Sequence, residues 1–177
     1  MGEAMDNVME IRRGVESDAE ELSAAAERWF RETFSPDNTA EDMAIYCAGA
    51  FSPEIQRAEL TDPGTETLLL QDAQGHLAAY AQLRDGPPDG FDLPAPIELV
   101  RFYVDSAYHG RGLASRLMAA VDDAARARAA QTLWLGVWEK NHRARAYYRK
   151  AGFIDIGAHD FHLGRDLQTD RLMSRPL

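Results

Sequence analysis

Two glycines separated by one arginine precede an apolar helical pattern in YHGRGLASRLM, residues 108–118. A dense apolar run, ELVRFYV, ends at Val104 just before this stretch and is typical of a buried strand. The first N–H groups of a helix have no partner within the helix, and the helix dipole adds partial positive charge there. Glycine lets a ligand approach the backbone closely, and Arg111 adds charge. The turn from Gly110 to Ser115 is therefore predicted to hold a phosphate or pyrophosphate group.

Two familiar phosphate-binding patterns fit this turn poorly. The Walker pattern GxxxxGK[ST] is absent from the chain. The dinucleotide fingerprint GxGxxG is matched at Gly110 and Gly112, but Ser115 replaces its third glycine. In that fingerprint the glycines follow a strand directly, whereas DSAYH stands between Val104 and Gly110 here. A nucleotide-binding oxidoreductase stays open as an alternative, and a spectral titration with NADH would test it.

Two stretches together resemble the signatures of the GNAT superfamily of acyl-CoA-dependent N-acyltransferases. HGRGLA is similar to the family pattern [QR]xxGx[GA], although His109 departs from the usual Gln or Arg. LWLGVWEKNHRARAYYRKAGF is similar to the second signature, an asparagine followed by a helix with a tyrosine and then a Gly-Phe pair. The residues in those places are Asn141, Ala144, Tyr148, Gly152 and Phe153. The resemblance extends from about Val8 to the C-terminus.

The resemblance implies that acetyl-CoA is the co-substrate and that no metal is involved. Backbone amides of the glycine turn would hold the CoA pyrophosphate, and the backbone of Phe102 to Val104 would pair with the pantetheine arm. Asn141 would anchor the same arm with its side chain. The cofactor-binding residues expected on this basis are Phe102, Tyr103, Val104, Gly110, Arg111, Gly112, Leu113, Ala114, Ser115, Asn141 and Tyr148.

Attack of an amine on a thioester requires that the amine lose a proton and that the departing thiolate gain one. The resemblance implies that Tyr148 is the general acid. Glu98 is the candidate base, because Glu98, Val100, Phe102 and Val104 are expected to alternate onto one strand face. Some family members carry a glutamate at this distance before the valine that ends the strand. A surface glutamate, with deprotonation through ordered water, is the alternative.

Several charged residues near these motifs could contact the substrates. One member of a basic run is expected to contact a CoA phosphate, although the run could also be a solvated helix face. The run comprises Lys140, His142, Arg143, Arg145, Arg149 and Lys150. Asp37, Glu41 and Asp42 lie near the segment that lines the acceptor groove in this family and could bind an ammonium group. His159 and His162 are weaker candidates for the acceptor pocket.

A narrower resemblance concerns the acceptor. FSPEIQRAEL, LWLGVWEKN and GAHDFHLGRDLQTDRLM look like the bacterial Pai-type spermidine/spermine acetyltransferases. This likeness implies a primary amine of a polyamine such as spermidine or spermine as the acceptor. A direct ternary complex is expected, because the chain has no credible nucleophile for an acyl-enzyme. The alternatives are another small amine, a protein or peptide amine, and a non-catalytic module that binds acyl-CoA.

The order of elements predicts how these residues are positioned. Seven strands are expected at VMEIRR, TETLLLQD, HLAAYAQLRD, ELVRFYV, TLWLGVW, GFIDIGAHDFHL and TDRLMSR. Helices are expected over about 18–34, 39–51, 52–60, 112–128 and 141–151. Hairpins mixed with strand–helix–strand units predict an α/β (α+β) fold, a mixed and mostly antiparallel sheet flanked by helices. GPPDGFDLPAP is expected to be a loop and a candidate rim of the substrate site.

Composition limits the remaining classes. The chain has 177 residues, which predicts one domain over residues 1–177. The net charge of −10 argues against nucleic-acid binding, which needs a basic face. The single cysteine, Cys47, excludes a disulfide within the chain. No stretch is expected to span a membrane and no signal peptide is evident, so we expect a cytoplasmic protein. A homodimer is possible by resemblance to the family.

Overall fold

The computed structural model describes residues 9–177, and the part of the first predicted strand at Val8 lies outside the described residues. The strands are β1 Glu10–Arg13, β2 Thr65–Gln71, β3 Leu77–Asp85, β4 Pro96–Val104, β5 Thr132–Trp138, β6 Ile154–Leu163 and β7 Asp166–Pro176. The helices are α1 Ala19–Phe34, α2 Ala40–Ala50, α3 Pro53–Thr61, α4 Leu113–Ala127 and α5 His142–Lys150. Each predicted helix and strand with residues in the described range is present near its expected position.

The strands form one sheet in the order β1-β2-β3-β4-β5-β7-β6. All neighbouring pairs are antiparallel except β4 and β5, which run parallel because α4 connects them as a crossover. The predicted fold class, a mixed and mostly antiparallel α/β sheet flanked by helices, is confirmed. Within residues 9–177 no helix is both long and apolar enough to cross a bilayer.

Two apolar clusters cover the two faces of the sheet. On one face, α4 packs through Leu117 and Val121, which are fully buried, against side chains of β3, β4 and β5. On the other face, α1 and α2 pack through Leu22, Trp29 and Met43 against β2 and β3. We call these the α4 face and the α1 face of the sheet. Residues of β4 that point to opposite faces therefore reach different layers of the protein.

Strand β4 contains a β-bulge that changes which residues share a face. Gln82 of β3 lies opposite Arg101 and the next residue, Leu83, lies opposite Leu99, so Val100 is the extra residue. Before the bulge Leu99 points to the α4 face, and after it Phe102 and Val104 do so. The prediction that Glu98 shares a face with Phe102 and Val104 is therefore wrong, since an extra residue shifts the alternation by one position.

Strands β4 and β5 pair only at their beginnings. The parallel register runs from Pro96 opposite Thr132 to Glu98 opposite Trp134. Beyond that point β4 continues to pair with β3 as far as Val104, while β5 pairs with β7 as far as Trp138. The facing edges of β4 and β5 therefore separate, and their backbone N–H and C=O groups no longer form hydrogen bonds between these two strands. This gap between the two strands is the position of the candidate site.

The proline-rich segment between β3 and β4 is a loop, as predicted. Phe91 lies over Gly157 of β6, where an added Cβ atom would stand 2.6 Å from its ring. Trp134 Nε1 donates to the Gly86 carbonyl at 2.8 Å, and Thr132 Oγ1 donates to the Pro94 carbonyl at 2.8 Å. The loop thus covers the α1 face of β5 and β6 at the end of the sheet away from the gap between β4 and β5.

Candidate active site

A cavity of about 420 Å³ opens where β4 and β5 diverge. It is continuous from the glycine turn before α4 to the strands at the far edge of the sheet. We divide most of its lining into two parts. The donor wall consists of Phe102, Val104, residues 108–110 and 112–115, Val137, Asn141, Arg143, Ala144, Tyr147 and Tyr148. The acceptor wall consists of Phe30, Phe34, Tyr46, Arg101, Tyr103, Gly136, Trp138, Phe161, Gln168 and Asp170.

The glycine turn has the backbone conformation that a phosphate site needs. Gly110 has φ of +78° and Gly112 has φ of +75°, in the left-handed region that non-glycine residues rarely adopt. Gly112 is the N-cap of α4 and makes no side-chain cap, so the N–H groups of Leu113, Ala114 and Ser115 lie at the open helix end. A Cβ atom on either glycine would meet no protein atom within 4 Å. The space beside the turn is thus open for a ligand at an electropositive helix end.

His109 occupies the position of the family's usual Gln or Arg, and its ring makes two contacts within the protein. Its Nε2 lies 3.0 Å from the Val104 carbonyl oxygen, and its Nδ1 lies 3.3 Å from Nη2 of Arg143. The carbonyl can only accept and the guanidinium can only donate, so these contacts fit the neutral tautomer with the proton on Nε2. His109 thereby ties the glycine turn to the end of β4 and to α5. Because it uses the Val104 carbonyl, that carbonyl is less free to pair with pantetheine than the sequence suggested.

One residue of the basic run lines the cavity. Arg143 belongs to the donor wall and stands beside His109. Arg145 instead donates to the Glu139 carbonyl at 2.8 Å and pairs with Asp155 at 3.6 Å, while Lys140 lies 5.9 Å from the centre of the Trp138 ring. Arg111, predicted to add charge at the turn, is not part of the lining, and its guanidinium lies 5.3 Å above the ring of Tyr108. Arg143 is therefore the best-placed cation for a CoA phosphate.

Tyr148 lies on α5 and faces the cavity within a group of aromatic rings. Its ring is 5.5 Å from that of Tyr147, 5.6 Å from Phe153 and 6.4 Å from Phe102, all at edge-to-face angles. Burial raises the pKa of the Tyr148 phenol well above its usual value, and the neighbouring Tyr147 adds to the shift. The hydroxyl therefore stays protonated at neutral pH, as a proton donor must.

The two ends of the Asn141 side-chain amide have different surroundings, one at the start of α5 and one at the cavity. Its Oδ1 accepts from the Ala144 N–H at 3.2 Å and so caps α5. Its Nδ2 group has no hydrogen-bond partner among residues 9–177, and Asn141 is part of the donor wall. The amide can therefore donate to a pantetheine carbonyl, but its oxygen is already engaged by the helix.

The acceptor wall is aromatic. Phe30 stacks on Tyr46 with ring centres 4.6 Å apart, and the ring centre of Phe161 lies 5.4 Å from that of Tyr46. Trp138 lies 6.1 Å from Phe34 in an edge-to-face arrangement. Aromatic faces attract cations through their quadrupoles. This wall therefore suits an organic cation with apolar carbon atoms better than an anion.

Two ionisable groups reach the acceptor wall, and they differ in how closely they are paired. The guanidinium of Arg101 contacts Glu59 at 2.6 Å and the Ala50 carbonyl at 3.2 Å, and it lies 5.0 Å from the Phe51 ring centre. The Asp170 carboxylate, 13% exposed, has a longer contact, 3.8 Å from Oδ2 to His159 Nε2. Asp170 therefore gives this wall a carboxylate without a close ion-pair partner.

Glu98 lies outside the cavity. It is the last residue of β4 that pairs with β5, and its carboxylate accepts from Arg84 at 2.7 Å on the α1 face. Its contacts are those of a surface ion pair at a strand start. The base role of Glu98 stays a prediction, and its position gives that role no support.

The acidic residues before and within α2 do not reach the acceptor wall either. Asp42 accepts from the backbone N–H of Arg165 at 2.8 Å, and Glu41 pairs with the Arg165 guanidinium at 2.9 Å. Arg165 stands in the turn between β6 and β7, so this pair joins α2 to that hairpin. Asp37 is exposed and also lies outside the cavity lining. The predicted ammonium-binding role of these carboxylates has no geometric support.

The sequence analysis did not predict Asp170 or, apart from Tyr103, the aromatic residues of the acceptor wall. One signal for Asp170 was available, because Asp170, Leu172 and Ser174 alternate onto one face of β7 and Leu172 is fully buried there. A carboxylate on an inward-facing strand position is uncommon and marks a candidate site. Among residues 9–177 no group of three or more His, Cys, Asp or Glu side chains could hold a metal ion.

The comparisons with known proteins agree with this geometry. The fold and the cavity define an acyltransferase that uses a CoA thioester, and the model of the acetyltransferase (GNAT) family matches residues 23–153. The chain belongs to this family, and it is an acetyl-CoA-dependent N-acetyltransferase of the GNAT type. Its sequence is 32% identical over 164 residues to an uncharacterised N-acetyltransferase of Lactobacillus delbrueckii subsp. lactis, spanning 92% of this chain and 94% of that relative.

Two solved structures are similar over almost the whole chain. The PaiA N-acetyltransferase of Thermoplasma acidophilum, in complex with coenzyme A, has a TM-score of 0.79 at 18% identity, covering 96% of this chain and 99% of that one. A ribosomal-protein-alanine N-acetyltransferase of Brucella melitensis has a TM-score of 0.70 at 25% identity, covering 95% and 99%. The first likeness establishes the fold and leaves the acceptor open.

Proposed function

We propose that this chain transfers the acetyl group of acetyl-CoA to a primary amine of a small organic cation, and that a polyamine such as spermidine is the first acceptor to test. The observation that carries the proposal is the continuity of one cavity between two chemically different walls. The donor wall offers an open helix end and Tyr148. The acceptor wall offers aromatic faces and the carboxylate of Asp170, whose contact with His159 is as long as 3.8 Å.

The roles proposed for the donor wall follow from its geometry. Backbone N–H groups at Gly112 to Ser115 would hold the pyrophosphate, and Arg143 would add a cation beside it. The open edge of β4 near Phe102 and Tyr103, together with Asn141 Nδ2, would hold the pantetheine arm. Tyr148 would protonate the departing thiolate, because burial keeps its hydroxyl protonated.

We propose direct attack by the amine, without an acyl-enzyme. Cys47 is the only cysteine of the chain, and it is 1% exposed and packed in the core on the α1 face. Burial raises the pKa of its thiol, which lowers the fraction of reactive thiolate. It does not line the cavity. A ternary complex of protein, acetyl-CoA and amine is therefore the simplest route.

A peptide amine is the second candidate. The similar structure from Brucella melitensis is named as an enzyme for a ribosomal-protein alanine. A peptide N-terminus also carries one ammonium group, which Asp170 could bind. The aromatic acceptor wall favours an apolar cation over a peptide backbone, since amide groups would leave hydrogen bonds unmade against aromatic rings. A polyamine is therefore the first candidate and a peptide amine the second.

Steady-state thiol release with acetyl-CoA tests the proposal. The panel is spermidine, an amino acid, an aminoglycoside and a peptide with an N-terminal alanine. We expect kcat/KM to be highest for spermidine, and its KM to rise with added NaCl because charge pairs are screened over about 8–10 Å near physiological ionic strength. Equal kcat/KM for spermidine and the other amines would remove the polyamine assignment. A preference for the peptide would establish the second candidate.

A further inference from the structure

The Asp170 carboxylate stands in an environment that costs free energy unless a ligand compensates it. Its side chain is 13% exposed, and its contact with His159 is long, with Nε2 3.8 Å from Asp170 Oδ2. Trp138 is its neighbour on β5 and His159 its neighbour on β6. Burying an ionised carboxylate without a hydrogen-bond donor is unfavourable, so such groups are usually paired. A closer donor than His159 is the kind of partner that an ammonium group supplies.

Space for such a partner exists in front of the carboxylate because of Gly136. A Cβ atom at Gly136 would lie 3.4 Å from Asp170 Oδ2 and 3.3 Å from His159 Nε2. Any larger residue would occupy the position that faces both groups. Gly136 is itself part of the cavity lining and stands on β5, whose edge separates from β4 at the gap. Because residue 136 is glycine, no side chain of this residue blocks the gap between the donor wall and Asp170.

We infer that Asp170 is the catalytic residue that receives the proton of the acceptor ammonium, and that His159 is a positioning residue that sets the charge state of Asp170. This inference rests on the proposed function and names the base of that reaction. The general base would then be a residue of β7, whereas the sequence analysis predicted Glu98 of β4. Among the acidic side chains of residues 9–177, Asp170 alone lines the cavity.

Protons and electron pairs balance in this step. One proton of the bound ammonium moves to a carboxylate oxygen of Asp170 and leaves a lone pair on the amine nitrogen. That nitrogen forms a C–N bond to the thioester carbonyl carbon, the C–S bond breaks, and the thiolate takes the Tyr148 proton. The second nitrogen proton returns through solvent to Tyr148, and Asp170 releases its proton to solvent. The products are the acetamide, the free thiol and one proton.

The pH dependence follows from the groups around Asp170. Burial raises the pKa of the Asp170 carboxyl to about 6, and the nearby His159 opposes that shift. Tyr46 of α2 also interacts electrostatically with Asp170, and Arg101 of β4 is held by Glu59. A base works in its deprotonated form, so kcat/KM should fall as pH drops through about 6. Loss of His159 removes this opposing influence, so the pKa of the Asp170 carboxyl should rise and the fall should move to higher pH.

The test uses Asp170→Asn, which keeps the shape of the side chain, with the best acceptor found in the amine panel. We expect kcat/KM to fall about 100-fold, the low end of general-base effects, and its acidic limb to disappear. The CoA dissociation constant measured by calorimetry should not change. The thermal midpoint should stay the same or rise, because a largely buried carboxylate without a close donor is replaced by a neutral amide. His159→Gln should shift the acidic limb to higher pH.

Asp160→Asn is the matched control. Asp160 follows His159 on β6, points to the opposite sheet face, and is exposed, so the same charge is lost away from the cavity. We expect wild-type kinetics in this variant. An unchanged acidic limb in Asp170→Asn would overturn the inference, and loss of that limb in Glu98→Gln would return the role to Glu98. Absence of turnover in the wild-type protein with every amine would instead overturn the proposed function.

Discussion

Gly112→Val separates folding from co-substrate binding at the glycine turn. Gly112 has φ of +75° and ψ of 6°, and a Cβ atom there would contact no protein atom within 4 Å. The cost to folding is therefore backbone strain without a steric clash, about 1–3 kcal/mol for a non-glycine residue in this region. For a chain of this size that corresponds to a lower thermal midpoint by about 2–12 °C. The variant should remain folded at 25 °C.

Gly112→Val should weaken CoA binding strongly, although it leaves the protein folded. The N–H groups of Leu113, Ala114 and Ser115 begin α4 immediately after Gly112, and a phosphate must approach them closely to accept from them. An isopropyl group on Gly112 enters the open space beside this helix end. Loss of one hydrogen bond to a charged group costs about 1.5–3 kcal/mol. The CoA dissociation constant should therefore increase about 10- to 150-fold.

Calorimetric titration with CoA measures this effect, and Gly90→Val is the matched control. Gly90 also has a positive φ, +80°, and a Cβ atom there also meets nothing within 4 Å. It lies in the loop between β3 and β4, which does not line the cavity. The control should show similar backbone strain and wild-type CoA affinity. Wild-type affinity in Gly112→Val itself would refute the assignment of the phosphate site to this turn.

Three further substitutions test other parts of the site and the fold. Tyr148→Phe keeps the ring and removes the proton donor, so kcat should fall at least about tenfold with CoA affinity little changed; an unaltered kcat under conditions where chemistry limits turnover would leave Tyr148 a packing residue. Arg143→Gln removes the cation beside His109 and should weaken CoA binding about tenfold by calorimetry, and an unchanged dissociation constant would leave Arg143 a solvated side chain. Glu59→Ala leaves the guanidinium of Arg101, 11% exposed, without its carboxylate, and should lower the free energy of unfolding by about 3 kcal/mol. The thermal midpoint should then fall by about 6–12 °C, and a fall of less than about 2 °C would contradict the importance of this pair.

The elements of the fold could be predicted because each has a local signal. The helical spacing of Leu113, Leu117 and Val121 predicted α4, and the turn DAQG between two apolar runs predicted the β2–β3 hairpin. The bulge at Val100 could not be predicted, since it arises from the register against β3 and not from a residue type. That single extra residue explains why Glu98 was assigned to the wrong face of β4.

The sequence predicted much of the donor wall but little of the acceptor wall. The glycine turn is contiguous in the chain and is built from backbone, so its residue types and spacing predict it. The acceptor wall brings together Phe30, Tyr46, Trp138 and Asp170, which are distant in the chain. No local pattern unites them, because only the order of strands β5, β7 and β6 places the last two near each other.

The connection of Asp42 and Glu41 to Arg165 has a consequence for how acceptor preference can change. It fixes the β6–β7 hairpin to α2, so the two segments that carry Phe161, Gln168 and Tyr46 form one unit outside the glycine turn and α4. Substitutions in that unit can alter the amine that is accepted while the thioester stays bound in the same way. New acceptor preferences could therefore arise in evolution with little effect on acetyl-CoA binding. In the laboratory, the β6–β7 hairpin and α2 would have to be exchanged together.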